Sequence, residues 1–546
     1  MKKALLVIII VLLTIIPQTN ALPKSELDVV KRSFSCSIEI SGGVQTIKPF
    51  VHITIREKSF IMYCSIQFNN NSNIKVTIDD EVFIFDTAGK IQIIGFRGTY
   101  NEEIRYDKTY IDLNGKAMYV KIKVKTHSVD DDYYLPIINS LNNITHPLTK
   151  SPLELTDQDL ESLSCLSDCE IVGLGEATHG TKEFFELKHR IFKYLVEKHD
   201  FKIFAFECDM GESYFVDNFV TKGEGDIDDI MINKMHFWTW RTQEVKELLL
   251  WMMEYNSEKL DENKIHFIGV DCQYMTHQSE IIINYFNKTN ITLPEEHLQF
   301  LNEINEIGSN LRDYYLNNVT LEKKEEINYN VDNLITKLED LKDELINASS
   351  EYEYQFIKQI ALNIKQANEM HYGSIHDNQK NYRDMYMAQN TLWTKGLFGE
   401  NTKVALWAHN WHVSNINSSY SPMGYHLKEE LQDKYQILGF AFSLGNFTAV
   451  SINKGLGTCQ IKEEPKFGSI NYVFHHAEDK NFILRESDIP VNSSFDIWIS
   501  KPQMFLDIGS VFFENSYDHY KLKELKEEND FLIYWNTTTA SELLQV

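Results

Sequence analysis

Four short apolar runs, each followed by polar side chains, constrain the fold of this chain more than any other feature. The runs cover residues 169–174, 202–206, 265–270 and 403–408, and a helix-length segment separates the first two. Buried strands of a parallel sheet read as continuous apolar runs, and helices connect one such strand to the next. The pattern therefore predicts an α/β fold with a mainly parallel sheet flanked by helices.

The side chains that follow the four runs are of types that take part in catalysis. In chain order they are Glu176 and His179, Glu207, Asp271, and His409 with His412. A strand-end acid on its own often caps the next helix, and a histidine pair on its own often only packs. Ligands of open α/β sheets bind at the carboxyl ends of the strands, so four such ends favour one shared cleft.

The turn after the first run carries the candidate general base. Residues 173–180 read Gly-Leu-Gly-Glu-Ala-Thr-His-Gly, and the glycines allow a sharp turn or a close approach to a ligand. Glu176 supplies an ionised acceptor, and His179 belongs to the residue type whose charge changes near neutral pH. General base catalysis needs such a pair, so Glu176 and His179 are the leading catalytic candidates.

Blocks of sequence around these residues resemble the erythromycin esterase family of hydrolases. The blocks are residues 173–188, 204–211, 237–242, 269–273, 383–388 and 407–413, in this order over most of residues 150–546. The resemblance implies a metal-independent esterase without a cofactor, in which His179 acts as base on water. It further implies that Glu176 and Glu207 orient this base or the water, while His409 and His412 bind substrate or steady the developing negative charge.

The candidate substrate-binding residues are Lys188, Trp240, Arg241, Asp271 and Arg383. Family members commonly carry arginine nine residues after the first-block histidine, where this chain has Lys188. Lysine keeps the charge but loses the planar fork, which leaves open whether the ester is a macrolide antibiotic. The aromatic segment 237–240 predicts a hydrophobic substrate wall, and Arg241 is available to an anionic group or to a strand-end acid.

The same residues allow alternatives to ester hydrolysis by histidine-activated water. No Gly-x-Ser-x-Gly nucleophile motif occurs in the sequence, and Cys208 and Cys272 follow acids in a way that favours buried packing over a thiol nucleophile. A metal-dependent hydrolase would use the Glu and His cluster as ligands, although a His-Glu-x-x-His pattern is missing. A non-enzymatic protein would instead bind a hydrophobic ligand or haem through its histidines and aromatic residues.

The charge and the N-terminal sequence limit the kinds of partner and the location that we expect for this protein. The formal net charge of -26 and the pI near 5.1 disfavour nucleic acid and anionic membrane surfaces, and they fit a small, neutral or cationic substrate better. The family resemblance implies that this small molecule is an ester. Lys2 and Lys3 precede an apolar stretch over residues 4–17, and small residues follow near Ala21. This pattern predicts a signal peptide, residues 1–21, on a secreted enzyme without stable membrane insertion.

The periodicity of the chain changes twice after the predicted signal peptide. Residues 22–140 alternate apolar and polar side chains between turn signals, which predicts a small antiparallel β domain with an accessory role. Residues 141–546 form the predicted hydrolase domain. Within it, residues 294–375 predict a long helical insertion, with leucines at 334, 338, 341 and 345, that packs on the sheet and covers the cleft. An oligomer contact is the alternative role for these helices.

Overall fold

The computed structural model describes residues 133–545, apart from 309–310, 378–379, 400, 419 and 514, together with strands between residues 34 and 126. The predicted signal peptide lies outside the described residues. Within these ranges no helix combines the length and the apolar character needed to cross a membrane.

The chain divides into two compact units. The first comprises Met1–Ile137 with Lys466–Gly468, and the second comprises Ile138–Pro465 with Ser469–Val546. The described strands of the first unit are β1 (Phe34–Gly42), β2 (Thr46–Arg56), β3 (Ser59–Phe68), β4 (Ile74–Ile78), β5 (Glu81–Phe85), β6 (Lys90–Thr99), β7 (Glu103–Ile111) and β8 (Ala117–Thr126). They pair antiparallel in the orders β1-β8-β7, β2-β3-β6 and β4-β5. The accessory role of this unit stays a prediction.

The second unit is built around a large mixed sheet. Its strands are β9 (Thr145–Pro147), β10 (Ile171–Leu174), β11 (Phe201–Asp209), β12 (His266–Asp271), β13 (Lys403–Trp407), β14 (Tyr435–Ser451), β15 (Gly455–Ile461), β16 (Asn481–Arg485), β17 (Gln503–Leu506), β18 (Val511–Phe512), β19 (Tyr520–Lys523) and β20 (Phe531–Thr538). The order β12-β11-β13-β10-β14-β20 is parallel, and β16 and β9 continue it antiparallel. Strands β15 and β18 pair with β14, while β17 and β19 pair with each other.

Helices cover both faces of this sheet. They are α1 (Leu135–Asn142), α2 (Lys182–His199), α3 (Met210–Lys222), α4 (Ile227–Asp229), α5 (Gln243–Ser257), α6 (Gln278–Thr289), α7 (Glu295–Gly308), α8 (Leu311–Asn318), α9 (Leu321–Asp340), α10 (Lys342–Ala348), α11 (Glu351–His376), α12 (Tyr382–Leu397), α13 (Asn410–Val413), α14 (Met423–Leu431), α15 (Ile470–His475), α16 (Ser494–Ile499) and α17 (Leu525–Glu528). The predicted α/β class with a mainly parallel sheet is confirmed.

Two apolar cores form on the two faces of the sheet because neighbouring strand residues point in opposite directions. Val172 of β10 and Trp407 of β13 belong to one core, while Ile171 and Leu406 of the same strands belong to the other. All four side chains have no exposed surface. Burial on both faces explains why these strands read as continuous apolar runs in the sequence.

The predicted helical insertion corresponds to the segment from α7 to α11. Leu334, Leu338 and Leu345 are fully buried and belong to the same core as Ile171, whereas Leu341 is half-buried against it. The leucine spacing thus marks helices that pack on the sheet of their own chain.

The strand order places the four predicted run ends side by side. Strand β13 comes late in the chain, yet it lies between β10 and β11 with parallel pairing to both. Strand β12 lies on the other side of β11. The carboxyl ends of β12, β11, β13 and β10 therefore form one continuous edge of the sheet.

Candidate active site

The structure brings the groups that follow the four runs to this edge, where a cavity of about 360 Å³ opens. Its charged and titratable lining residues are His179, Glu207, Arg383 and His412. Its apolar lining residues are Phe237, Trp238, Trp240 and Val450. Thr239, Gln273 and Ser510 complete the lining, so the cavity joins an aromatic patch to a larger set of polar groups.

His179 forms a hydrogen-bonded pair with Glu176 on the turn after β10. Nδ1 of His179 lies 2.7 Å from Oε1 of Glu176. The backbone holds the histidine from both sides, because its N–H donates to the carbonyl of Gly509 at 3.2 Å and its carbonyl accepts from Oγ1 of Thr239 at 2.6 Å. A carboxylate can only accept, so Nδ1 carries a proton, and the neutral form of the ring has its lone pair on Nε2.

Glu176 is fully buried and is held by three donors. Besides His179, Nζ of Lys188 lies 2.5 Å and Nε1 of Trp407 lies 2.8 Å from its Oε2. Burial alone would raise the pKa of Glu176, but Lys188 and His179 outweigh burial and the pKa lies below its ordinary value. The carboxylate that orients His179 is therefore ionised at neutral pH.

Gly180 lets this turn press against strand β14. A Cβ atom at residue 180 would lie 2.1 Å from the carbonyl oxygen of Thr448. The close approach allows the N–H of Thr448 to donate to the carbonyl of Gly180 at 2.8 Å, and the N–H of Ser541 donates to the same carbonyl at 2.9 Å. The residue after the candidate base is thus fixed to two other segments of the chain.

Arg383 of α12 links the acids at the ends of β11 and β12. Its Nε and Nη2 donate to the carboxylate of Asp271 at 3.1 and 2.6 Å, and Nη2 also donates to Oε1 of Glu207 at 2.7 Å. Burial alone would lower the pKa of Arg383, but Asp271 and Glu207 outweigh it and raise this pKa well above its ordinary value. The guanidinium is a permanent positive charge in the cavity wall.

Glu207 is the acid that both later histidines share. Its Oε2 accepts the backbone N–H of His409 at 2.9 Å, and its Oε1 lies 3.2 Å from Nε2 of His412. Burial alone would raise the pKa of Glu207, but His412 and Arg383 outweigh it and hold this pKa well below its usual range. Glu207 is therefore an ionised acceptor, and it cannot donate a proton near neutral pH.

His409 lies beside the candidate base, behind the cavity lining. The centres of the His409 and His179 rings are 5.2 Å apart. Nδ1 of His409 accepts the N–H of Trp411 at 3.2 Å, and Nε2 lies 3.0 Å from Oδ1 of Asp507, within ion-pair distance. Burial lowers the pKa of His409 despite the nearby Asp507, so its neutral form is favoured.

The predicted substrate-binding residues fall into two groups. Trp240 and Arg383 line the cavity. Lys188 has no exposed surface and lies behind Glu176, Asp271 is occupied by Arg383, and Arg241 donates to the carbonyls of Met235 and His236. The side chains of this second group are therefore engaged with the protein itself, and our proposal gives none of them a direct substrate contact.

The two strand-end cysteines are packing residues. Cys208 and Cys272 have no exposed surface, and burial raises the pKa of both thiols well above the ordinary value. A thiol nucleophile needs the opposite environment, which is exposed and electropositive. Over the described part of the chain, no three His, Cys, Asp or Glu side chains are grouped in a way that would hold a metal ion.

Sequence reasoning did not assign a role to Asp384 or Asp507, the partners of His412 and His409. Asp507 follows the apolar residues of β17, which is the same strand-then-acid signal that marks Glu207 and Asp271. Asp384 lies in the block of residues 383–388, next to Arg383, but only the folded structure shows that it binds His412. Trp407, whose indole N–H donates to Glu176, lies in the block of residues 407–413.

Comparisons with known proteins agree with the resemblance in the sequence. The erythromycin esterase family model matches residues 196–538, a range that contains Glu207, His409 and His412. The chain is 27% identical to erythromycin esterase type II of Escherichia coli over 311 residues, which is 52% of this chain and 72% of that protein. It is 25% identical over 419 residues to YbfO of Bacillus subtilis (strain 168), described as a candidate hydrolase, covering 71% of this chain and 89% of that protein.

Solved structures share the fold. A Bacillus cereus protein gives a TM-score of 0.67 at 25% identity, covering 76% of this chain and 99% of that chain. A succinoglycan biosynthesis protein gives 0.65 at 25% identity, covering 76% and 100%. A mutant of the erythromycin esterase EreC in its open conformation gives 0.54 at 17% identity, covering 74% and 99%. Because the family model matches more than half of the chain, this protein belongs to the erythromycin esterase family of hydrolases.

Proposed function

We propose that this hydrolase cleaves a carboxylic ester or lactone with His179 as general base on water. The observation that carries the proposal is the 2.7 Å contact between Nδ1 of His179 and Oε1 of Glu176, beside a cavity that His179 lines. The contact fixes the tautomer, because the carboxylate keeps the proton on Nδ1. Nε2 is then the basic nitrogen, as proton abstraction requires.

The proposed reaction begins when Nε2 of His179 removes a proton from a water molecule. The water oxygen bonds to the carbonyl carbon of the ester, and the carbonyl electron pair moves to the carbonyl oxygen to give a negatively charged tetrahedral intermediate. Glu176, ionised and buried, stabilises the resulting imidazolium of His179. The bond to the leaving oxygen then breaks and its electron pair goes to that oxygen. The leaving oxygen takes up a proton while His179 gives up the one it removed from water, so the products are a carboxylic acid and an alcohol.

The cavity also supplies positive charge for the developing oxyanion. Arg383 is a permanent cation in the wall and is held in place by Asp271 and Glu207. Preorganised charge of this kind stabilises a transition state without reorganisation during the reaction. We propose that Arg383 supplies this field, while His409 braces the ring of His179 from its side.

The apolar part of the cavity lining favours an ester with a hydrophobic part. Phe237 and Trp238 are half-buried, Trp240 is buried, and all three line the cavity with Val450. Aromatic side chains provide a large apolar contact area for a ligand. A neutral ester with a hydrophobic acyl or alcohol part fits this wall better than a multiply charged substrate.

A hydrolysis screen tests the function. Purified protein is offered a panel of lactones and alkyl, aryl and macrolide esters, with products identified by mass spectrometry. The whole panel is repeated after chelator treatment, with metal content measured. Turnover that survives complete removal of metal supports the proposal. Turnover that vanishes with the metal and returns on its addition would establish a metallohydrolase, and ligand binding without turnover of any ester would establish a binding protein.

Export is a separate proposal that rests on residues 1–21. The test is mass spectrometry of the protein produced in its own cells, with analysis of medium and cell fractions. A mature chain beginning near residue 22 in the exported fraction supports export. An intact N-terminus in the cell interior would refute it.

A further inference from the structure

Gln273 is a half-buried neutral side chain in the lining of the cavity. Its Nε2 lies 2.7 Å from Oδ2 of Asp271, the same carboxylate oxygen that accepts Nη2 of Arg383 at 2.6 Å. A carboxylate can only accept, so the amide nitrogen of Gln273 is the group turned to Asp271. The amide oxygen, Oε1, is left for another partner.

The oxygen of this amide is available to a ligand. Oε1 accepts no hydrogen bond from the residues that the structure describes, and it is not among their fully buried atoms. The carboxylate of Glu207, by contrast, already accepts from Arg383 and from the backbone N–H of His409. An amide oxygen accepts hydrogen bonds, so a ligand that binds it must carry an O–H or N–H donor.

The backbone around Gln273 is fixed as well as its amide nitrogen. The carbonyl of Gln273 accepts Nε2 of His371 on α11 at 2.8 Å, and the His371 ring is stacked on Tyr315 with the ring centres 5.2 Å apart. The next residue, Tyr274, donates its N–H to Oδ2 of Asp209 at 3.1 Å. A group that is already held in place loses little freedom when a ligand binds, so its hydrogen bond counts more fully toward binding.

The neighbouring cation narrows the class of donor to a hydroxyl. Arg383 and Gln273 donate to the same oxygen of Asp271, so a permanent positive charge lies beside the amide. An ammonium group would be repelled by this charge, and an amide N–H cannot accept a hydrogen bond from it. A hydroxyl can donate to Oε1 and accept from a guanidinium at the same time. The carbonyl group of an ester has no hydrogen to donate, so the hydroxyl is a separate group of the substrate.

We propose that Gln273 is a specificity-determining residue and that the substrate is a hydroxy ester or hydroxy lactone whose hydroxyl donates to Oε1 of Gln273. This inference rests on the ester hydrolysis proposed above and names the class of ester. Gln273 binds the substrate away from the bond that breaks, so it acts on the choice among esters and leaves the chemical steps unchanged. One neutral hydrogen bond is expected to favour the hydroxy ester by about tenfold in kcat/KM.

A set of matched esters tests the substrate class on the unmodified protein. The set holds ethyl butyrate, its derivatives with a hydroxyl on the acyl chain or on the alcohol part, and the methoxy counterpart of each derivative. At least one hydroxy ester should exceed both ethyl butyrate and its own methoxy counterpart in kcat/KM by about tenfold, because a methoxy oxygen cannot donate. Equal kcat/KM values across hydroxy, methoxy and unsubstituted esters would overturn the inference.

Gln273→Met tests the residue, because methionine keeps the length of the side chain and removes the amide. The variant should lose the preference for the hydroxy ester, with little change in kcat/KM for ethyl butyrate. A preference that survives in Gln273→Met would overturn the assignment. Equal losses on all esters would overturn it too, because they would show that Gln273 only supports Asp271 and Arg383. Gln273→Leu repeats the comparison if Gln273→Met does not fold.

Gln436→Met is the matched control. Gln436 is also half-buried, lies at the amino end of β14 and donates from Nε2 to the carbonyl of Asp433 at 3.3 Å. This variant should keep both the rates and the preference of the unmodified protein. Absence of turnover of every ester by the unmodified protein would overturn the proposed function itself, whereas turnover without any preference for a hydroxyl would overturn only the role of Gln273.

Discussion

Lys188 is the residue whose position differs most from the expected one. The sequence suggested a substrate contact, yet the side chain is fully buried, bonded to Glu176 and 4.2 Å from the centre of a Trp407 ring. Burial lowers the pKa of Lys188 to about 8, although Glu176 opposes this shift. Its positive charge keeps the buried carboxylate of Glu176 ionised, so in the proposed mechanism Lys188 acts through Glu176 and His179.

Lys188→Met should destabilise the protein because it leaves Glu176 buried without its cation. Removing one partner of a buried ion pair typically costs about 3–5 kcal/mol. Chemical denaturation measures the change in the free energy of unfolding. Lys150→Met, which breaks the more exposed contact between Lys150 and Asp159, is the control and should cause a much smaller loss. Equal losses in the two variants would show that the buried pair has no special weight.

Individual helices and strands could be predicted from the sequence where a local pattern of side chains determines them. The apolar runs predicted strands β10 to β13, and the polar groups after them predicted the sheet edge at which the site lies. The spacing of Leu334 and Leu338 predicted helices that face the core. The position of β13 between β10 and β11 could not be predicted, since strand order depends on packing between distant segments. The pairing of Asp384 with His412 depends on that order, which is why no local pattern revealed it.

The contact between the turn after β10 and strand β14 gives a prediction at this scale. Gly180→Ala places a Cβ atom against the backbone of Thr448, so the turn or the strand must shift. Overpacking of this kind costs about 1–3 kcal/mol. Ester turnover should also fall, because His179 precedes the displaced residue. Unfolding and rate measurements on the same preparation test both effects.

Gly457→Ala is the control for this substitution. Gly457 lies on β15, and a Cβ atom there would have no neighbour within 4 Å. Stability and turnover should therefore remain close to those of the unmodified protein. A Gly180→Ala variant that behaves like Gly457→Ala would contradict the account of the close approach.

The whole molecule combines a strongly acidic composition with a site that contains its own fixed charges. Acidic residues number 79 and basic residues 53, so long-range electrostatics repel polyanions. Inside the cavity, ion pairs with Asp271 and Glu207 hold Arg383 in place, and the aromatic side chains of the lining are available to the substrate. Both features favour a small, uncharged ester. In the proposed mechanism, the chemistry at its carbonyl group depends on the pair formed by His179 and Glu176.

The most direct test of the central claim compares two histidines that each contact a carboxylate at similar distance. His179 contacts Glu176 at 2.7 Å in the cavity, and His146 contacts Asp488 at 2.8 Å at the far end of the sheet order. The measurement is kcat for an ester identified in the screen, with folding checked by circular dichroism. His179→Gln should lower kcat by about a hundredfold to ten-thousandfold, and His146→Gln should leave it unchanged. Undiminished turnover by folded His179→Gln would contradict the account.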